Sequence, residues 1–509
     1  MSEHQAVSGV VLALDQGTTG SAALVLDATG RIRGHAEREI GQHYPRSGWV
    51  EHDPDEIFAA TIEVGRMALA TAGASAADVA AIGITDQRET TVVWERATGR
   101  PIHPAVVWQS RASAPVCERL KAEGLEPLVR ERTGLRLDPY FSGTKIRWIL
   151  DHIAGAQARA EKGELCFGTI DSWLLWGLTG GRAHRTDVTN ASRTLLFDIA
   201  RTGWDDELCA RLGVPAAMLP EVLPSVAHFG DTDPAHFGGA IAIRGVAGDQ
   251  QAALFGQACF APGEAKNTYG TGCFLLVNTG STIARSAAGL LATLAWDLGT
   301  GPVYALEGSA FVTGAAVQWL RDGLGLIGDA AETEAEALAA GERVDLYLVP
   351  AFTGLGAPYW DPYARGLLIG IERSTSRAHV VRATLESIAY QTRDLIEAAR
   401  AAGVVVEELR ADGGGTANRY LMQFQADIAG VPVALAAARE TTALGAAYLA
   451  GLGAGVWGTP SAAARTRRAG ERFVPRMDRA ERESRYAGWS RAVERARGWA
   501  TSDAGTSSG

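Results

Sequence analysis

Short apolar runs closed by glycine, threonine or a lone acid recur along the chain, and each has the length of a buried strand. Residues 10–14 end in Asp15, pass through Gln16-Gly17-Thr18-Thr19-Gly20 and resume over 21–26. This predicts two strands joined by a Gly/Thr-rich turn. A P-loop or a dinucleotide fingerprint opens a helix after its glycines, whereas here a second strand follows. The loop is either a plain hairpin turn or a phosphate grip made of backbone N–H groups and Thr hydroxyls. The pattern returns over 264–269, Gly270-Thr271-Gly272 and 273–278. A device used twice predicts two related domains, 1–257 and 258–500. The small polar tail, 501–509, is expected to be disordered.

Between these hairpins the periodicity changes. Asp53-Pro54 predicts a helix to about residue 72, with Asp as N-cap and Pro in the first turn. Residues 79–85 predict a buried strand whose end carries Asp86-Gln87-Arg88-Glu89-Thr90-Thr91. Strand ends of α/β sheets are where ligands gather. Arg88 and Glu89 there either clamp a polyol, one donating and one accepting, or form a surface ion pair. Residues 105–108 predict another strand, and 137–145 a loop leading into a helix over 146–152, with Tyr140 lining a site or packing. Residues 186–193 are polar and structured in pattern but suggest no role, and 227–239 read as an exposed loop.

In the second half, 311–320 predict a helix with Gly314 and Gln318 on one face. Residues 378–401 predict a long amphipathic helix on which Glu386, Tyr390 and Arg393 read as a solvated face. A strand over 409–412 runs into Gly413-Gly414-Gly415-Thr416, and Asn418 starts a helix. Glycines at such a junction let a flat or charged ligand approach the backbone. Small residues over 441–447 suit close helix packing.

The candidate chemistry centres on Val246-Ala-Gly-Asp249-Gln250-Gln-Ala-Ala-Leu-Phe-Gly256. A strand end delivers Asp249 and Gln250 just before an apolar helix. Asp249 is either an N-cap or a general base held out from a rigid element.

Composition narrows the classes. A chain of 509 residues is too long for one core, and 47% hydrophobic with 21% charged residues is ordinary for a folded soluble protein. A net charge of −10 argues against nucleic acid or an anionic membrane as main partner. The 5 cysteines (Cys117, Cys166, Cys209, Cys259, Cys273) include no CxxC pair, so reduced thiols and no zinc site are expected. No signal-peptide pattern and no run near the roughly 18 apolar residues of a membrane span are found, so a cytoplasmic protein without membrane insertion is expected.

Paired Gly/Thr hairpins, a triple-glycine turn and a lone acid between the halves match the arrangement of actin-like (ribonuclease H-like) ATPase folds, two α/β domains with a cleft between them. Over nearly its whole length the chain also resembles the carbohydrate kinases named for their Phe-Gly-Gly-Tyr signature. Tyr140-Phe-Ser-Gly-Thr-Lys145-Ile-Arg-Trp148-Ile-Leu-Asp-His152 fits that family, as does the stretch from Gly366-Leu-Leu-Ile-Gly370-Ile through His379 to Ala383-Thr-Leu-Glu386. Within the family it is most similar to the glycerol-phosphorylating members. The motifs that carry this are Leu14-Asp-Gln-Gly-Thr-Thr19, Gly48-Trp-Val-Glu-His-Asp53, Gln87-Arg-Glu-Thr-Thr91, Asp138-Pro-Tyr-Phe-Ser-Gly143, Gly248-Asp-Gln-Gln251 and Asn267-Thr-Tyr-Gly-Thr-Gly-Cys273.

The resemblance implies ATP and Mg²⁺ as cofactors, glycerol as substrate and a homo-oligomer, dimer or tetramer. It implies a glycerol pocket of Arg88, Glu89, Tyr140, Asp249 and Gln250, walled by Trp108 and Phe274, with Asp249 as base. It implies a first phosphate loop at Thr18, Thr19 and Gly20 and a second at Gly270 and Thr271. Gly314, Gln318, Gly414 and Asn418 would contact the nucleotide, and Asp15 with Asp249 would hold Mg²⁺ through water.

Four departures stand out. Ala22 replaces the Arg that commonly follows the first phosphate loop, and Asp86 replaces the usual Asn. Ala240 falls where some relatives place an Arg for fructose 1,6-bisphosphate, so that inhibition is not expected, and His236 is one residue displaced from a regulatory phosphorylated His. Competing readings are a kinase for another polyol or ketose, an actin-like filament or chaperone ATPase, and a catalytically dead homologue. The last is opposed by the retained Asp249.

Overall fold

Two sheets of the same design organise the chain. The computed structural model describes residues 9–341, 344–438, 440–467 and 469–500; the tail expected to be disordered lies outside them. The first sheet runs Ile32–Glu39, Gly20–Leu26, Val10–Gln16, Val79–Asp86, Ala242–Gly248, Val226–Asp231. Its neighbours pair antiparallel, antiparallel, parallel, parallel and antiparallel. The second runs Pro302–Ala310, Cys273–Gly280, Ala265–Tyr269, Leu409–Asp412, Val433–Ala436, Ala469–Phe473 with the same senses in the same order. Leu291–Asp297 adds an edge beside Pro302–Ala310. The repeated hairpin is thus the visible part of a repeated sheet.

Both faces of the first sheet are covered, which is why its strands read as unbroken apolar runs. Leu12 and Leu14 meet Ile57, Ala60 and Val64 of the helix Pro54–Ala72. Val11 and Ala13 point the other way, toward Leu254, Phe255, Leu444 and Tyr448. The helix Thr441–Gly453 therefore returns from the far end of the chain to pack on the first sheet and on the helix Asp249–Gly256. Only glycine permits the crossing: a Cβ on Gly445 would stand 1.8 Å from Ala252 O, and one on Gly256 2.1 Å from Thr441 O.

A helical lobe with its own core, including Phe141, Trp148, Leu196 and Leu212, is inserted between the strands of the first sheet and presents Tyr140 and Arg193 inward.

Several boundaries differ from expectation. The helix expected from 146 begins at Ser142, because the Ser142 and Gly143 N–H groups of its first turn are satisfied by Arg193 O and Thr194 O. The strand expected over 105–108 is only Ala105–Val106, paired with Glu51–His52. The helix expected from 311 begins at Gly314, since the Thr313 and Gly314 N–H groups are held by Thr271 O and Gly270 O. The loop expected over 227–239 is instead a strand, Val226–Asp231, and a short helix, Pro234–Phe237. Finally, Glu386, Tyr390 and Arg393 are buried, not solvated. The helix Arg479–Ala496 covers that face, with Trp489 stacked on Tyr390 at 5.2 Å and Glu483 2.7 Å from Arg393.

Candidate active site

The parallel strands Val10–Gln16, Val79–Asp86 and Ala242–Gly248 end side by side, which gathers the residues that follow them. Gln87 donates to Gln16 Oε1 at 3.0 Å and to Gly17 O at 3.2 Å, locking the second strand end to the first hairpin loop. Thr90 Oγ1 accepts the Trp108 N–H at 3.2 Å, and Trp108 Nε1 donates to Thr18 Oγ1 at 2.9 Å. The Trp108 ring lies 5.6 Å from Tyr140 and 6.3 Å from Phe274 on the second sheet. One indole thus joins the expected first phosphate loop to the expected apolar wall across both halves.

Arg88 and Glu89 are both buried, so the surface ion-pair reading is wrong. Glu89 sits at φ 61°, a left-handed conformation that a non-glycine residue holds only when its surroundings impose it. Its carbonyl accepts from Ser142 Oγ and from Thr91 Oγ1, each at 3.0 Å, and from Lys145 Nζ at 3.5 Å. Burial pulls the Lys145 ammonium down to about 7. Arg88 Nε faces Asp249 Oδ1 at 3.2 Å, its Nη1 donates to Glu307 Oε2 at 2.5 Å, and its Nη2 donates to Glu307 Oε1 at 3.2 Å and to Tyr140 Oη at 3.4 Å. Gly248 is required here: a Cβ would stand 2.6 Å from Arg88 Cγ.

Asp249 is the first residue of its helix and its side chain is 29% exposed. The N-cap is Gly248, and the Asp249 carboxylate accepts the adjacent Gln250 N–H at 2.7 Å rather than an N–H further along the helix. The capping reading is therefore corrected; the carboxylate faces Arg88 and open space. Gln250 Oε1 accepts from Lys266 Nζ, which also donates to Thr268 Oγ1 at 3.0 Å. Burial, then the charge of Asp249, raises the Asp15 carboxyl to about 7. Ala22 is its cross-strand partner, so no cation from that position offsets the repulsion.

Beneath this cluster lies an acid network. Gly248 N–H donates to Thr189 Oγ1, which donates to Asp187 Oδ1; Asn190 Nδ2 donates to both Asp187 Oδ1 and Asp86 Oδ1. Asp86, where Asn was expected from the family pattern, is buried, and burial with Asp171 pushes its carboxyl well above the usual range. His236 is tied to Gly177 O at 3.1 Å and packs against Phe58.

The second half forms a cavity of about 560 Å³. Gly270, Thr271, Gly314, Gln318, Gly414 and Asn418 all line it, together with Val317, Leu385, Ile388 and Leu421. Asn418 caps the helix Arg419–Ala429 through Leu421 N–H at 2.9 Å and donates to Thr333 Oγ1 at 3.0 Å. A cavity lined by apolar side chains and by glycines suits a flat base and its phosphates. Thr18, Thr19 and Gly20 are not in its lining; they sit at the tip of the first hairpin, outside this cavity.

Sequence reasoning missed Arg193, Glu307, Lys266, Gln87, Thr189 and Asp187. The polar run 186–193 carried a signal for three of them; Glu307 and Lys266 sit within strands that show none.

The family model described as the FGGY family of carbohydrate kinases, N-terminal domain, matches residues 10–256, and its C-terminal counterpart matches 265–454. A glycerol kinase of Symbiobacterium thermophilum is 57% identical over 97% of this chain and 99% of its own length. Glycerol kinase 2 of Thermotoga maritima is 57% identical over 96% and 99%. The crystal structure of Plasmodium falciparum glycerol kinase with ADP is similar with a TM-score of 0.90 at 35% identity, covering 96% of this chain and 98% of that one. A xylulose kinase from Rhodospirillum rubrum shares the fold with a TM-score of 0.83 at 24% identity, covering 95% and 98%.

Proposed function

This chain belongs to the FGGY family of carbohydrate kinases and has their two-domain actin-like ATPase fold, and from that premise we propose how it phosphorylates glycerol with ATP. The transfer gives sn-glycerol 3-phosphate and ADP. The observation that supports the assignment of sites is a shared wall. The hairpin Ala265–Tyr269 and Cys273–Gly280 offers Thr271 to the 560 Å³ cavity, and Lys266 and Phe274 to the polar pocket. A nucleotide in that cavity would direct its phosphates at the hydroxyl-binding groups.

Glycerol is neutral and carries three hydroxyls, each needing a donor and an acceptor. Arg88, Tyr140 and the Gln250 amide donate, Glu89 and Asp249 accept, and the Trp108 and Phe274 rings cover the carbons. A site made of fixed polar groups rejects analogues that leave one unpaired. Asp249 takes the proton of the terminal hydroxyl as that oxygen bonds to the γ-phosphorus and the bond to the ADP oxygen breaks. Thr18, Thr19 and Gly20 approach the phosphates from one half, Gly270 and Thr271 from the other. Gly314, Gln318, Gly414 and Asn418 hold the nucleoside. Closure of the halves excludes water, which would otherwise take the phosphoryl group.

Burial, and after it the charge of Asp249, raises the Asp15 carboxyl, and two neighbouring carboxylates suit a divalent cation. Mg²⁺ takes much of its shell from phosphate oxygens and water, so two carboxylates acting through water are a fitting protein share. When bound it would neutralise phosphate charge. The division at residue 257, a dimeric or tetrameric assembly and a cytoplasmic location belong to the same reading. Among the described residues no helix is long and apolar enough to cross a membrane.

A coupled assay of ADP release with and without glycerol tests the function. Glycerol-dependent release is expected, and equal rates on a pentulose, or hydrolysis indifferent to glycerol, would overturn it.

A further inference from the structure

Two buried arginines and two buried glutamates join the halves directly under the polyol pocket. Arg88 and Glu89 follow a strand of the first sheet, Arg193 comes from the inserted lobe, and Glu307 from the strand Pro302–Ala310 of the second sheet. All four are buried. Glu307 binds Arg88 through both oxygens, at 2.5 and 3.2 Å, and takes Arg193 Nη2 at 2.8 Å. Arg193 Nε donates to Glu89 Oε1 at 2.6 Å. Burial alone would raise the Glu307 carboxyl, yet Arg193 and Arg88 hold it at about 2.

Such a cluster gives little net stability, because desolvating four charges offsets most of their attraction. What it supplies is orientation. A guanidinium gripped by both oxygens of one carboxylate cannot rotate, so Arg88 keeps its Nε toward Asp249. With Oε1 held by Arg193, Glu89 presents its other oxygen. Arg193 is fixed in turn by the Tyr140 and Phe141 rings, 5.7 and 5.2 Å from its guanidinium carbon. Its Nη1 is buried without a hydrogen-bond partner among the described residues, so its polar contacts are concentrated on the two glutamates.

We propose that Glu307 and Arg193 are positioning residues of the polyol pocket: Glu307, reaching over from the second half, sets Arg88, and Arg193 sets Glu89. The pocket is then complete only when both halves are docked. This rests on the polyol-kinase reading, and turnover of glycerol by the wild-type chain tests that reading separately.

The test is steady-state kinetics of full-length Glu307→Gln and Arg193→Lys, with ADP affinity measured by calorimetry. Gln keeps the shape of Glu307 but leaves the two arginines unneutralised; Lys keeps the charge of Arg193 but loses the fork. Each variant is expected to raise the glycerol KM at least tenfold while KM for ATP and the ADP Kd stay within twofold. A double variant should cost less than the product of the two single effects, because both act on one cluster. Unchanged glycerol KM in either folded variant overturns the proposal. So does a parallel loss of ADP binding, which marks a merely structural cluster. If Glu307→Gln does not fold, Arg193→Lys decides; failure of both to fold also counts against a positioning role.

Discussion

Thr189 Oγ1 accepts the backbone N–H of Gly248 at 2.9 Å, one residue before Asp249. The same hydroxyl donates to the buried Asp187 carboxylate at 2.8 Å. The strand end that delivers the proposed base is therefore pinned from below by a residue of the inserted lobe.

Thr189→Val keeps the volume and removes both bonds. Asp187 Oδ1 keeps its Asn190 donors, but leaving the Gly248 N–H without the threonine hydroxyl costs about 1–3 kcal/mol. Denaturant unfolding should read that loss, and kcat should fall with little change in glycerol KM. Unaltered stability and kcat together would show that the pin is dispensable.

Asp249→Asn retains an oxygen for Arg88 but cannot accept the substrate proton. Glycerol binding is expected to persist while kcat falls by roughly 10²- to 10⁴-fold. Near-normal kcat by the coupled assay would remove Asp249 from its role as base.

Asp15, raised to about 7 by burial and then by Asp249, should make Mg²⁺ affinity depend on pH. Below about 7 the carboxyl holds its proton and presents no charge to the cation; above it the carboxylate is free. The apparent Mg²⁺ affinity should thus fall as pH drops through 7, by up to about tenfold per unit. Asp15→Asn should flatten that slope, and a slope unchanged by the substitution would exclude Asp15 as its origin.

Burial, then Asp171, raises the Asp86 carboxyl well above the carboxylate range, so the folded chain holds its proton to higher pH than the unfolded chain. The unfolded chain loses that proton at ordinary acidic pH, so between the two values the folded state binds more protons and stability falls as pH rises. Asp86→Asn removes this contribution. Its melting temperature relative to wild type should rise between about pH 5 and pH 8, and a difference independent of pH in thermal scans would refute the assignment.

Asn418→Ala removes the cap on Leu421 N–H and the bond to Thr333 at the cavity wall. About 1 kcal/mol of stability should be lost, together with a severalfold weaker ADP Kd by calorimetry. Unchanged ADP affinity would separate Asn418 from the nucleotide.

Local pattern and motif carried much of this protein. The two Gly/Thr hairpins were legible because strand, turn and strand are set by neighbours in sequence, and their repetition announced the duplicated sheet. Asp249, Gln250, Arg88 and Glu89 could be named together as a candidate site because strand ends gather ligand groups and because the motifs resemble a known family. The proposed nucleotide contacts Thr271, Gly314, Gln318, Gly414 and Asn418, spread over some 150 positions, line one cavity.

Only the tertiary structure decided the rest. Glu307 lies 218 residues after Glu89 in a strand of ordinary pattern, and no periodicity marks it as the partner of Arg88 and Arg193. Arg393 looked solvated until the helix Arg479–Ala496 covered it, and Asp249 looked like a cap until Gly248 took that place. Sequence pattern reports what a residue does to its own element, through side-chain spacing and backbone preference. Which carboxylate neutralises which guanidinium is set by elements distant in the chain, where burial makes an unpaired charge too costly to leave alone.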